Sequence, residues 1–186
     1  MADLRITELP ALTTVLGEDL LAIVDDPTGT AITKKIRTDD FQSTWHVGAR
    51  VYNNAAITVA TGGAVLTFNS EIYDTDSIHS TGTNTGRLTC QKAGKYLIQG
   101  YIRWAGHASG VRGLSVLHSS GYLSEITVPT CGATVETAIV IGALWDLEVN
   151  EYVELQSFQN SGGNLNATYY ASPHFMSPGF AMHKIG

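Results

Sequence analysis

The sequence predicts an all-β protein, with a small hairpin segment over residues 1–45 followed by a β-sandwich or double-sheet barrel over residues 46–186. Three observations carry this reading. Short apolar or alternating stretches recur from Gly48 onward, glycine and polar clusters at 80–84, 106–110 and 160–166 separate them, and no stretch after residue 46 sustains a helical period. Hydrophobic residues make up 44% of the chain and charged residues 15%, so a core can be buried and disorder is excluded.

Within the first segment, Leu20, Leu21, Ala22, Ile23 and Val24 form an apolar strand. Asp25-Asp26-Pro27-Thr28-Gly29 is a turn signal, because proline presets φ and glycine admits its positive values. Residues 31–36, ending at Ile36, form the return strand. Thr38-Asp39-Asp40-Phe41 supplies an N-cap and two acids for one helical turn. So small a unit buries too little surface to stand alone.

In the second segment, residues 96–104 alternate. Tyr96, Ile98, Ile102 and Trp104 share one face, and Gln99, Tyr101 and Arg103 share the other. Residues 137–145 set Ile139, Ile141 and Trp145 against Ala138, Val140 and Leu144, apolar on both faces. In residues 151–158, Val153 and Leu155 point inward while Glu154 and Gln156 point outward. Weaker strands are expected at 64–69, 86–91, 111–119, 122–128 and 179–185. A sandwich covers one face of each sheet, so strands that are greasy on both faces call for a second copy of the chain.

Charge and motifs exclude several functions. Net charge is −6, and the Lys and Arg residues are scattered apart from Lys34-Lys35, so no patch fits nucleic acid or an anionic membrane. No apolar run is long enough to span a bilayer, and Met1-Ala2-Asp3-Leu4-Arg5 lacks the order of a secretion signal, which predicts synthesis and folding in a cytoplasm. Cys90 and Cys131 are then expected as free, buried thiols, with a disulfide between them as the other possibility. No nucleophile elbow occurs, and none of the six histidines is spaced for zinc, so neither catalytic residues, metal nor cofactor is expected. His79 and His107 read as solvated loop residues. Asp74 and Asp76 read as turn acids rather than a calcium cage, and Glu148, Glu151 and Glu154 as solubilising charge.

The large rings divide in two. Tyr96, Tyr101, Trp145 and Phe180 are expected in the core or between copies. Trp104, Tyr169 and Tyr170 abut loops rich in glycine or asparagine, where rings stack on sugars, and are the candidate ligand residues.

Four stretches, in order, carry a family resemblance: Phe68-Asn69-Ser70-Glu71-Ile72-Tyr73-Asp74, Gly94-Lys95-Tyr96-Leu97-Ile98, Asn150-Glu151-Tyr152-Val153-Glu154-Leu155 and Pro178-Gly179-Phe180-Ala181-Met182. They resemble strands in the trimeric jelly-roll heads of complement subcomponent q and tumour necrosis factor. That implies a jelly-roll β-sandwich and a homotrimer.

The first segment resembles the N-terminal modules of tailed-phage fibre, spike and head-fibre proteins. The likeness rests on Ile6-Thr7-Glu8-Leu9-Pro10, Asp19-Leu20-Leu21-Ala22-Ile23-Val24, Thr33-Lys34-Lys35-Ile36 and Thr38-Asp39-Asp40-Phe41. It implies a virion structural protein, a head fibre, capsid decoration or tail appendage assembled in the host cytoplasm. Leu9, Pro10, Leu20, Leu21, Ile23, Val24 and Ile36 would contact other virion proteins. The alternative is a lectin-like head that binds a host-surface glycan.

Overall fold

The computed structural model describes residues 20–25, 32–37, 46–171 and 176–186. The chain divides into two units between Trp45 and His46. In the first, β1 (Leu20–Asp25) and β2 (Ile32–Arg37) pair antiparallel, with Leu21 opposite Ile36 and Ile23 opposite Lys34. This is the expected hairpin. Leu9, Pro10 and the helical turn at 38–41 lie outside the described residues.

The second unit contains β3 (Gly48–Tyr52), β4 (Ile57–Val59), β5 (Gly62–Val65), β6 (Ser70–Asp74), β7 (Arg87–Thr89), β8 (Gly94–Trp104) and β9 (Val111–His118). It continues with β10 (Gly121–Pro129), β11 (Thr137–Leu147), β12 (Tyr152–Gln159), β13 (Leu165–Ala167) and β14 (Gly179–Lys184). Two antiparallel sheets form. One is five-stranded, in the order β10-β9-β12-β5, with β7 also on β12. The other is seven-stranded, in the order β4-β13-β8-β14-β3-β6, with β11 also on β8.

β8 organises the larger sheet. It pairs with all 11 residues of β11, from Gly94 opposite Leu147 to Trp104 opposite Thr137, and with β14 on its other side. Its inner face sends Tyr96, Ile98, Ile102 and Trp104 into the core, where Val153 and Leu155 of β12 meet them from the facing sheet. At Gly100 the facing sheet comes close to the backbone. A Cβ there would collide with Leu155 Cδ1 and stand 3.2 Å from Ile141 Cγ2. Phe180 stacks on Phe68 at 5.9 Å, and the Tyr96 hydroxyl donates to the Lys92 carbonyl at 2.6 Å, satisfying its polar end inside the core.

Several expectations are corrected. Trp104 is fully buried rather than loop-exposed, because its even position on β8 turns it inward with Tyr96. Cys131 is exposed, and only Cys90 is buried; both are free. The strand expected over 64–69 stops at Val65, yet Leu66 and Phe68 remain core residues. Their amides donate to the carbonyls of Leu155 and Thr85 at 2.8 and 2.9 Å. The polar cluster at 160–166 contains the start of β13, which pairs with β4. Trp145 is on the same strand face as Ile139 and Ile141, but β11 is an edge strand, so the ring is 45% exposed and tilts against His118.

The turn between β11 and β12 places Asn150 at φ 73°, where asparagine is tolerated and glycine is at ease. Gly100→Val is expected to lower unfolding stability by about 1–3 kcal/mol through overpacking against Leu155. Urea titrations would check this, and a wild-type midpoint would contradict the close approach.

Candidate functional site

The outer face of the seven-stranded sheet is built by the residues that β8 leaves over once its core face is placed. Antiparallel register lines them up in rows. Val140, Tyr101, Gly179 and Tyr52 form one row; Gly142, Gln99, Ala181, Arg50 and Tyr73 form the next; Leu144, Leu97, His183 and Gly48 form a third. Small residues at Gly179 and Ala181, flanked by Tyr52, Tyr73, Tyr101 and Arg50, leave a concavity of about 340 Å³. Along the β11 edge the face is apolar and open: Val140 is 66% exposed and Leu144 65%.

At one side of the concavity the Tyr73 hydroxyl lies 2.6 Å from His183 Nε2, and the two rings are 5.6 Å apart. The imidazole lies over the backbone of Gly48, where a Cβ would come within 2.5 Å of Nδ1. Burial, then the positive charge of Arg50, push the His183 proton affinity below the ordinary histidine range. Burial raises the Tyr73 phenol, with Arg50 pulling the other way. The phenol and the imidazole thus share one hydrogen bond in a face whose surroundings resist charge on either ring.

Toward the far end of β8, Arg103 joins a polar cluster. Its Nε donates to the Tyr101 hydroxyl at 3.0 Å and its Nη1 to Glu136 Oε2 at 3.1 Å. The Tyr170 hydroxyl donates to the same carboxylate oxygen at 2.7 Å, and the Arg103 guanidinium stands 5.7 Å from the Tyr170 ring. Burial raises the Glu136 affinity for protons, but the bonds from Tyr170 and Arg103 more than offset this and hold it below the ordinary carboxylate range. Tyr170 is thus a tethered ring. With Trp104 in the core and Tyr169 half-buried, the three candidate ligand residues do not form one open platform. Of the four rings assigned to core or interface, Tyr96 and Phe180 are core, Tyr101 is on the outer face, and Trp145 is at the edge.

Two histidines have carboxylate partners. His79, expected to be solvated, is buried, with Nδ1 2.8 Å from Glu71 and Nε2 3.2 Å from the Thr85 carbonyl. Asp74 closes the same loop by accepting from the amides of Asp76, Ile78 and His79, at 3.2, 3.0 and 2.8 Å. It is a structural cap rather than a solvated acid. His118 Nδ1 accepts from the Ser120 amide at 3.2 Å and lies 2.7 Å from its hydroxyl, while Nε2 is 3.4 Å from Glu151. These contacts tie the β9–β10 turn to the β11–β12 turn. Among the described residues no group of three or more His, Cys, Asp or Glu is placed to hold a metal ion.

Residue-type reasoning missed Arg50, Tyr73 and His183. They come from three strands and meet only through register, and the one signal in the sequence is the period of two that sets His183 on the face of Ala181.

No protein-family model matches this chain, and no curated protein does. Solved structures do. The globular domain of the zebrafish complement 1qA protein is similar at TM-score 0.53 and 17% identity, over 75% of this chain and 98% of that one. Eiger TNF from S. frugiperda is similar at 0.57 and 12%, over 76% and 93%. Murine APRIL at pH 5.0 is similar at 0.57 and 9%, over 75% and 99%. The fold is therefore a jelly-roll β-sandwich like those of complement q and tumour necrosis factor.

Proposed function

We propose that residues 46–186 are a non-enzymatic head that assembles as a homotrimer through the outer face of the seven-stranded sheet. Residues 1–45 then dock the assembly on a virion as a head fibre, decoration or tail appendage. The observation that carries the assembly is the open apolar edge at Val140 and Leu144, beside a concavity on the same face. Each such side chain gains roughly 1.5–3 kcal/mol when fully covered, so a lone copy forgoes several kcal/mol. A ridge and a hollow at different places on one surface favour a head-to-tail contact, which makes a ring when its rotation closes. Three copies rather than another number rests on the family resemblance, and the virion rests on the resemblance of the first segment. A glycan-binding head is the weaker reading, since Trp104 is buried and Tyr170 is tied to Glu136.

Association stabilises the folded chain by mass action, so the wild-type melting temperature should rise with protein concentration. Val140→Asp with Leu144→Asp should abolish that rise while leaving the far-ultraviolet strand spectrum intact. A variant that keeps the wild-type concentration dependence would remove the assembly face. Deleting residues 1–45 should leave the head folded but stop it cosedimenting with virion particles that lack it, and undiminished cosedimentation would overturn the docking role.

A further inference from the structure

The outer face holds one titratable group whose protonation the surroundings oppose. The groups on the same face as His183 from the strands packed beside it are Arg50 and Tyr52 on β3, Tyr73 on β6, and Lys95 and Tyr101 on β8, and none of the described residues lining the concavity is an acid. On its own strand, Lys184 turns to the opposite face, in register with Tyr96. The acids of β6 are engaged elsewhere, Glu71 with His79 and Asp74 with backbone amides. Asp146, on the outer face at the end of β11, stands opposite Lys95.

A neutral imidazole can accept from the Tyr73 hydroxyl at Nε2 or, in the other tautomer, donate to it. With protons on both nitrogens the ring can only donate to that hydroxyl and is a cation near the Arg50 guanidinium. His79 and His118 differ, because each has a carboxylate within reach, Glu71 at 2.8 Å and Glu151 at 3.4 Å.

We propose that His183 is an acid-responsive release for the assembly. Proton uptake by its imidazole puts a second positive charge next to Arg50 in a face that the neighbouring copy covers, and the copies separate. This rests on the assembly face proposed above. The sign follows from the direction in which the surroundings push the group. Burial and Arg50 lower the proton affinity in the folded head, and covering by a copy lowers it further. Association is therefore fully present above the ordinary histidine value of about 6.5. It weakens as pH falls below that value, because the separated form takes up the proton more readily. Glu136, held below the ordinary carboxylate range, remains charged through this window and keeps its loop contacts.

Sedimentation velocity of the full chain at pH 7.5 and pH 5.0, with circular dichroism as a check on the fold, tests the proposal on wild type and His183→Gln. Wild type is expected to be associated at pH 7.5 and to lose affinity by roughly tenfold or more at pH 5.0, the factor that one pKa unit carries. His183→Gln should be associated at both. Single wild-type chains at pH 7.5 would overturn the assembly face itself. Wild type equally associated at both values, or a variant that separates in acid as wild type does, would overturn the release while leaving the face standing.

Discussion

The structure depends on the pairing of β8 with β11 and on the rule that a strand's side chains alternate. Once Tyr96, Ile98, Ile102 and Trp104 are committed to the core, the residues between them must face outward, and β11 follows through an unbroken register. The inner half of the bargain is a close-packed sandwich in which Gly100 lets Leu155 approach the backbone. The outer half is a face on which, among the described residues, Val140 and Leu144 stand open beside the half-buried Leu97 and Tyr101. One choice of register therefore sets both the packing of the core and the apolar face left outside it.

Charge on that face is sparse and uneven. Arg103 is answered by Glu136, whereas Arg50 stands beside a histidine and tyrosines. His79 and His118 have carboxylates within reach and serve as links between loops. At His183 burial and a neighbouring cation both push against protonation. The same face thus combines open apolar area with a half-buried imidazole near a cation.

Much of this was legible before any coordinates. Strong alternation over residues 96–104 and 151–158 fixed the inward sets of β8 and β12, and the apolar run at 137–145 pointed to a strand loaded on both faces. The hairpin of β1 and β2 followed from its turn residues. Burial at sheet edges was not legible. Trp145 has the right phase but borders solvent, while Trp104 is near a glycine-rich loop in sequence and deep in the core in space. Short strands such as β13 hide inside polar runs, because a neighbour and not their own pattern defines them. The Arg50, Tyr73 and His183 grouping needed the pairing of β3, β6 and β14, which no single window of sequence contains. Arg112 is a further surprise. It is fully buried, two of its nitrogens are bonded to the Val111 and Ser109 carbonyls at 2.9 and 3.2 Å, and its alternation with Leu114 and Val116 gives an inward place to a residue whose type argues for the surface.

The claim that the greasy outer face is covered by further copies of the chain is tested most directly by the native mass of the purified protein. Sedimentation equilibrium at neutral pH and micromolar concentration should return about 60 kDa, three chains of 19.9 kDa each. A mass of 19.9 kDa, unchanged as concentration rises, would contradict the account.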